Sequence, residues 1–187
     1  LRSLAAAWSS AAMRHWLWLS LAVLLLDQAS KWLAMNALSP YQPLELAPHL
    51  HLTLMFNPGA AFSLLADAGG WQRWLFAGFA LLVTVLLALW ILRLGRDERL
   101  LAIGLSLIIG GAIGNLVDRL AIGHVIDFVQ VYLPFIPLAM FNPWPAFNLA
   151  DSAITIGVAL LLIETFRAER NPERNPGQNP GQNKENA

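Results

Sequence analysis

Four stretches of this chain are long and apolar enough to cross a bilayer: His15 to Leu38, Trp71 to Leu92, Leu100 to Leu116 and Ala146 to Phe166. A span needs roughly 20 predominantly apolar residues, because an α-helix rises ~1.5 Å per residue and the hydrocarbon core is ~30 Å thick. In lipid every backbone polar group must be satisfied within the segment, so these stretches predict helices, and the fold class expected is an all-α, four-helix membrane protein. Only the second stretch is clean. Asp27, Gln28, Ser30 and Lys31 interrupt the first, Asn115 and Asp118 stand at the end of the third, and Asn148 and Asp151 open the fourth.

The composition agrees, with 57% hydrophobic and 13% charged residues in a chain of 187. Twelve basic and twelve acidic residues give no net charge, hence no basic field to favour nucleic acid. The absence of cysteine removes disulfides and thiolate chemistry alike. Nine of the 12 Lys and Arg residues fall before the first span, between the second and third, or after the fourth. The positive-inside rule then places both termini and the loop carrying Arg93, Arg96 and Arg99 in the cytoplasm.

The segments on the other side read differently. Leu50, Leu52, Leu54 and Phe56 alternate with His51, Thr53, Met55 and Asn57, the period of a half-buried strand, and predict a small sheet on the membrane surface. Ala121 to Pro145 is apolar but holds Pro134, Pro137, Pro143 and Pro145, which suits an interfacial loop or short helix, with Tyr132 to Trp144 as a movable cover. Residues 1–14 lack a complete signal-peptide pattern and are expected to form a cytoplasmic extension. Residues 15–167 form the membrane domain, and residues 168–187, with their Asn-Pro-Gly-Gln repeat, are expected to form a disordered tail.

Counting from the cytoplasmic ends, Asp27, Asn115 and Asp151 lie at nearly one level, ~18 to 22 Å deep, toward the outer leaflet. Ionisable residues at such depth are costly unless they face a cavity or one another, so a shared pocket reached by Asn57 and Asp127 is expected. Asp27 and Lys31 stand four apart on one helical face, as Asn115, Asp118 and Arg119 share another, and within each set the groups can pair. Asp127 and Asp151 have no cation within a helical turn. Desolvation and mutual repulsion would raise one carboxyl so that the two share a proton near neutral pH, the arrangement aspartic proteolysis needs.

Each residue also has a plainer use. Asp27 with Lys31 can be a helix-joining salt bridge. Asp151 or Asn148 can cap the fourth helix, Asn57-Pro58-Gly59 can be a turn, and Gly104, Gly110, Gly111 and Gly114 can serve helix packing. His15, His49, His51 and His124 show no metal spacing, and Ser106 has no evident His partner in another span, which argues against zinc and serine proteases. A proton-coupled transporter or lipid-binding scaffold is the non-enzymatic alternative.

Five ordered blocks resemble a known family: Asp27-Gln28-Ala29-Ser30-Lys31, Asn57-Pro58-Gly59-Ala60-Ala61-Phe62-Ser63, Gly110 through Arg119, Val125-Ile126-Asp127-Phe128, and Phe147-Asn148-Leu149-Ala150-Asp151-Ser152. From about Trp16 to Phe166 the chain looks like the lipoprotein signal peptidases, the type II signal peptidases of bacteria. The resemblance implies a multi-pass aspartic endopeptidase of the inner membrane with its site toward the outer face. Such an enzyme cleaves diacylglyceryl-modified prolipoproteins just before the lipidated cysteine. It implies Asp127 and Asp151 as the catalytic pair. Asp27, Lys31, Asn57, Gly59, Gly111, Asn115, Asp118, Arg119 and Asn148 would shape the pocket and hold substrate or helices. The expected partners are the prolipoprotein and membrane lipid, with no nucleic acid, metal or organic cofactor, and the expected state is a monomer.

Overall fold

The computed structural model describes residues 15–59, 69–95, 97–136 and 142–170. It contains four helices, α1 (Leu17–Ala37), α2 (Trp71–Ile91), α3 (Arg99–Ala121) and α4 (Leu149–Arg170), and three strands, β1 (Leu44–Ala47), β2 (Leu50–Asn57) and β3 (Val125–Val131). All four helices are long and apolar enough to cross a membrane, as expected. Residues 1–14, the tail from residue 171, and residues 137–141 of the proposed cover lie outside the described residues.

Helix α3 is the hub. Its buried face runs from Ala102 to Asp118, while α2 exposes Trp74, Phe79 and Leu82 toward the position of lipid. Glycines let the backbones meet. A Cβ on Gly110 would stand 2.6 Å from the Ser20 carbonyl of α1, and one on Gly157 would stand 2.6 Å from the Gly104 carbonyl of α3. The small-residue reading of these glycines therefore holds. Ile91, Leu94, Ala102, Leu105 and Ile109 form an apolar core near the α2–α3 loop, so the polar groups are left to the other end of the bundle.

Helix α3 runs five residues beyond Leu116 and so carries Asp118 and Arg119, as their shared helical face requires. It stops at Gly123, whose φ of 86° suits a left-handed exit, with its N–H and that of Ile122 both donating to the Asp118 carbonyl. The chain then enters β3, so the region predicted as an interfacial loop or short helix holds a strand. Among the described residues there is no helix between Ile122 and Asn148. The apolar run Val125 to Val131 is short, β-branched and half-buried, as a sheet position requires.

The sheet is antiparallel in the order β1-β2-β3. The alternation expected along β2 is broken, because the pairing shifts between Leu52, opposite Val129, and Met55, opposite Asp127. Paired residues share a face, so the extra residue flips the parity of β2 and puts Asn57 on the face of Asp127, which an unbroken strand would not do. On the free side of β3, Phe147 pairs with Val129 and leads straight into α4. That bridge ties Asp127 and Asp151 into one framework.

Candidate active site

Two polar layers stand at this end of the bundle. The inner layer surrounds Lys31, which is 1% exposed although it is an ammonium. Its Nζ donates to Asp27 Oδ2 at 2.8 Å, Asp118 Oδ2 at 2.7 Å and Asn115 Oδ1 at 2.9 Å, so all three protons are used. Asp27 Oδ1 accepts the Ala150 N–H at 2.9 Å in the first turn of α4, where the helix dipole favours a negative charge. Asp118 Oδ2 also accepts the Ile126 N–H at 3.2 Å. Gln28 Nε2 lies 2.9 Å from Asp118 Oδ1 and 3.2 Å from both Asp27 Oδ2 and the Gly114 carbonyl. A side chain on Gly114 would collide with the Asp27 carboxylate, and one on Gly111 with the Ala150 carbonyl, so both glycines are required by the contacts around the knot.

The Asp27–Lys31 pair is thus as expected, but Asp118 does not pair with Arg119. It turns toward Lys31, because a buried carboxylate is best satisfied by a buried ammonium already desolvated beside it. Arg119 donates instead to the Gly59 carbonyl at 3.1 Å and the Asn115 carbonyl at 3.4 Å, and it lies over the Phe76 ring at 5.4 Å.

The outer layer holds the two acids. Asn148 caps α4 in a reciprocal arrangement: its Oδ1 accepts the Asp151 N–H at 2.9 Å, and Asp151 Oδ2 accepts the Asn148 N–H at 3.2 Å. Capping and pocket formation are therefore one structure. Asn148 Nδ2 reaches Asp127 Oδ1 at 2.8 Å and Asn115 Oδ1 at 3.1 Å, while Asn115 Nδ2 donates to Asp151 Oδ1 at 2.8 Å. Asn57 Nδ2 donates to Asp127 Oδ2 at 3.1 Å, and Asn57 Oδ1 accepts the Gly59 N–H at 3.0 Å in an Asx turn. Neutral amides hold both acids, and no cation touches either among the described residues. Burial pushes the Asp127 carboxyl from 3.8 up to about 7, and the neighbouring Asp151 charge adds to the rise; Asn57, Lys31 and Asn148 oppose it.

Asp127 and Asp151 open on a cavity of about 590 Å³ that Asn57, Asn115 and Arg119 also line. Apart from Ser152 and Thr155 its remaining wall is apolar, with Val125, Trp144, Phe147 and Ile154, and Arg119 Nε has no partner among the described residues. An apolar recess with a few convergent polar groups and a shifted carboxyl is how binding and catalytic sites are built. Every predicted site residue falls in one of these two layers or at their helix contacts. Gln28 and the apolar wall were missed as site parts; the signal for Gln28 was an amide inside a lipid-crossing segment.

The family model for signal peptidase (SPase) II matches residues 19–167. A lipoprotein signal peptidase of Pseudomonas putida is 50% identical over 157 residues, covering 83% of this chain and 89% of that protein. One of Acinetobacter baylyi is 45% identical over 155 residues, covering 83% of each. A bacterial membrane enzyme solved in meso at 2.3 Å superposes with a TM-score of 0.71 at 27% identity, covering 84% of this chain and 90% of that one. A second, at 1.9 Å, gives 0.65 at 27% identity over 81% and 92%.

Proposed function

Because this chain belongs to the signal peptidase II family, we propose that it removes the signal peptide from diacylglyceryl-modified prolipoproteins by aspartic catalysis, with Asp127 and Asp151 as the reacting acids. The observation that carries this reading is the meeting of both carboxyls at one cavity, one of them raised to about 7 and each held by neutral amide donors.

Asp127, the deeper acid at 3% exposure with its carboxyl pushed up to about 7, is assigned the proton, and Asp151 the role of base. Water sits between them; Asp151 takes its proton as the oxygen attacks the scissile carbonyl carbon, and Asp127 protonates the carbonyl oxygen. The tetrahedral diol collapses when Asp151 returns its proton to the cysteine nitrogen and Asp127 recovers one from the diol. The C–N bond breaks, leaving a carboxylic acid on the signal peptide, which ionises in water, and a free amine on the lipidated cysteine. Neutral asparagine donors orient both acids without fixing either charge state, which suits a pair that exchanges protons within each cycle. Arg119, with its spare Nε, orients the substrate backbone or the developing oxyanion.

The apolar wall suits the signal helix and acyl chains, which enter sideways from the bilayer. Arg93, Arg99, Arg167 and Arg170 stand at the opposite end from the cavity, which supports cytoplasmic termini and a site facing outward across the inner membrane. We take the working unit to be a monomer. The test is cleavage of a diacylglyceryl-modified precursor by purified protein. Asp127→Asn and Asp151→Asn should each lose at least about 10³-fold in rate, by analogy with removal of a catalytic triad member. Wild-type turnover in either variant would exclude the pair.

A further inference from the structure

The knot around Lys31 touches no substrate in this scheme, yet its two carboxylates hold telling atoms. Asp118 Oδ2 accepts the N–H of Ile126, the residue before Asp127, and Asp27 Oδ1 accepts the N–H of Ala150, the residue before Asp151. Each proposed catalytic acid therefore follows a residue whose N–H is held by a carboxylate. Lys31 joins the two carboxylates and, through Asn115, reaches Asp151 itself.

With the three Lys31 protons spent, Asp118 Oδ1 is served by Gln28 Nε2 at 2.9 Å, and the same amide spans to Asp27 Oδ2 and the Gly114 carbonyl at 3.2 Å. Gln28 is half-buried and does not line the cavity. A neutral donor completes the knot where an apolar side chain would leave a buried carboxylate oxygen bare, and where an anion would set a third negative charge against two.

We infer that Gln28 is a positioning residue: by tying Asp27 to Asp118 it sets the separation of the backbone at Ile126 and Ala150, the residues that lead into Asp127 and Asp151. The inference rests on the reading of those two acids as the reacting pair. Misplacing reacting groups by about 1 Å costs roughly 10²-fold in rate, so the effect belongs in turnover and not in substrate binding.

The experiment measures kcat and KM against pH for purified wild type, Gln28→Met and Gln28→Glu on a diacylglyceryl-modified precursor, with Asp127→Asn and Asp151→Asn alongside. Gln28→Met, which keeps the length and removes the donor, should lower kcat about 10- to 100-fold with KM within about twofold. Gln28→Glu should be slow at neutral pH and recover relative to wild type as pH falls, because the introduced carboxyl donates only when protonated. A Gln28→Glu protein with wild-type kcat across the pH range overturns the inference, whether or not Gln28→Met folds. So does a Gln28→Met loss confined to the yield of folded protein. Wild-type turnover in either aspartate variant overturns the acid pair itself, and is recognised by which variants stay active.

Discussion

Replacing Lys31 with methionine keeps most of the side-chain volume and removes one charge, and the structure sets what that costs. The ammonium sits 2.8 Å from Asp27 Oδ2 and 2.7 Å from Asp118 Oδ2, with side-chain exposures of 2%, 0% and 3% for Lys31, Asp27 and Asp118. No other cation contacts either carboxylate among the described residues. Breaking a buried pair costs about 3–5 kcal/mol because the surviving charge stays desolvated, and here two charges survive, which points to the upper half. At roughly 2–4 °C per kcal/mol for a chain of this size, melting should fall by about 8–20 °C. The assay is thermal unfolding in detergent, followed by tryptophan fluorescence. Adding Asp118→Asn to Lys31→Met should recover part of the loss, since one orphaned charge is then gone. A Lys31→Met protein that melts within about 2 °C of wild type would refute the reasoning, because water would then be solvating those carboxylates.

Gly111→Ala should destabilise by about 1–3 kcal/mol, since its Cβ meets backbone at Ala150 and Ile154 Cγ1 at 2.9 Å; Gly78→Ala, with nothing within 4 Å, should be neutral in the same unfolding assay. Asn148→Ala removes the cap on Asp151 and the donor to Asp127 together, so turnover should drop at least about 10²-fold while stability falls by about 1–2 kcal/mol. The raised Asp127 carboxyl means the folded state holds its proton more tightly than the unfolded chain does. Stability from this group is therefore complete below pH 3.8 and is lost as pH rises through about 7, by at most about 4 kcal/mol. Asp127→Asn should flatten that part of the stability–pH curve in chemical denaturation.

The four helices were legible because lipid demands long apolar runs, and the level of the polar groups followed from counting along them. Facing partners were less legible. Spacing within α3 shows that Asp118 and Arg119 share a side, yet not that Asp118 turns to Lys31 of α1, since α3 is apolar on nearly every face and gives no rotational preference. The run Leu50 to Asn57 announced a strand, but a bulge leaves no mark in an alternating pattern, so the side to which Asn57 points was hidden. Strand β3 was masked by the prolines that follow it, Pro134 to Pro145, which suggested a loop. Asn148 was read as either a cap or a site residue, and the reciprocal hydrogen bonds make it both. The acid pair was named through the order of five motif blocks together with the apolar flanks of Asp127, and a shared pocket was expected from the common depth of the polar groups; the hydrogen bonds that hold each acid there needed the fold.

The proposed mechanism requires Asp127 to hold the proton of the pair near neutral pH. Carboxyl-carbon NMR of aspartate-labelled protein, titrated from acid to base in wild type and in Asp127→Asn, measures this directly. One aspartate resonance should titrate with a midpoint near 7 and vanish in Asp127→Asn. A resonance assigned to Asp127 that titrates in the ordinary carboxylate range, near 4, would contradict it.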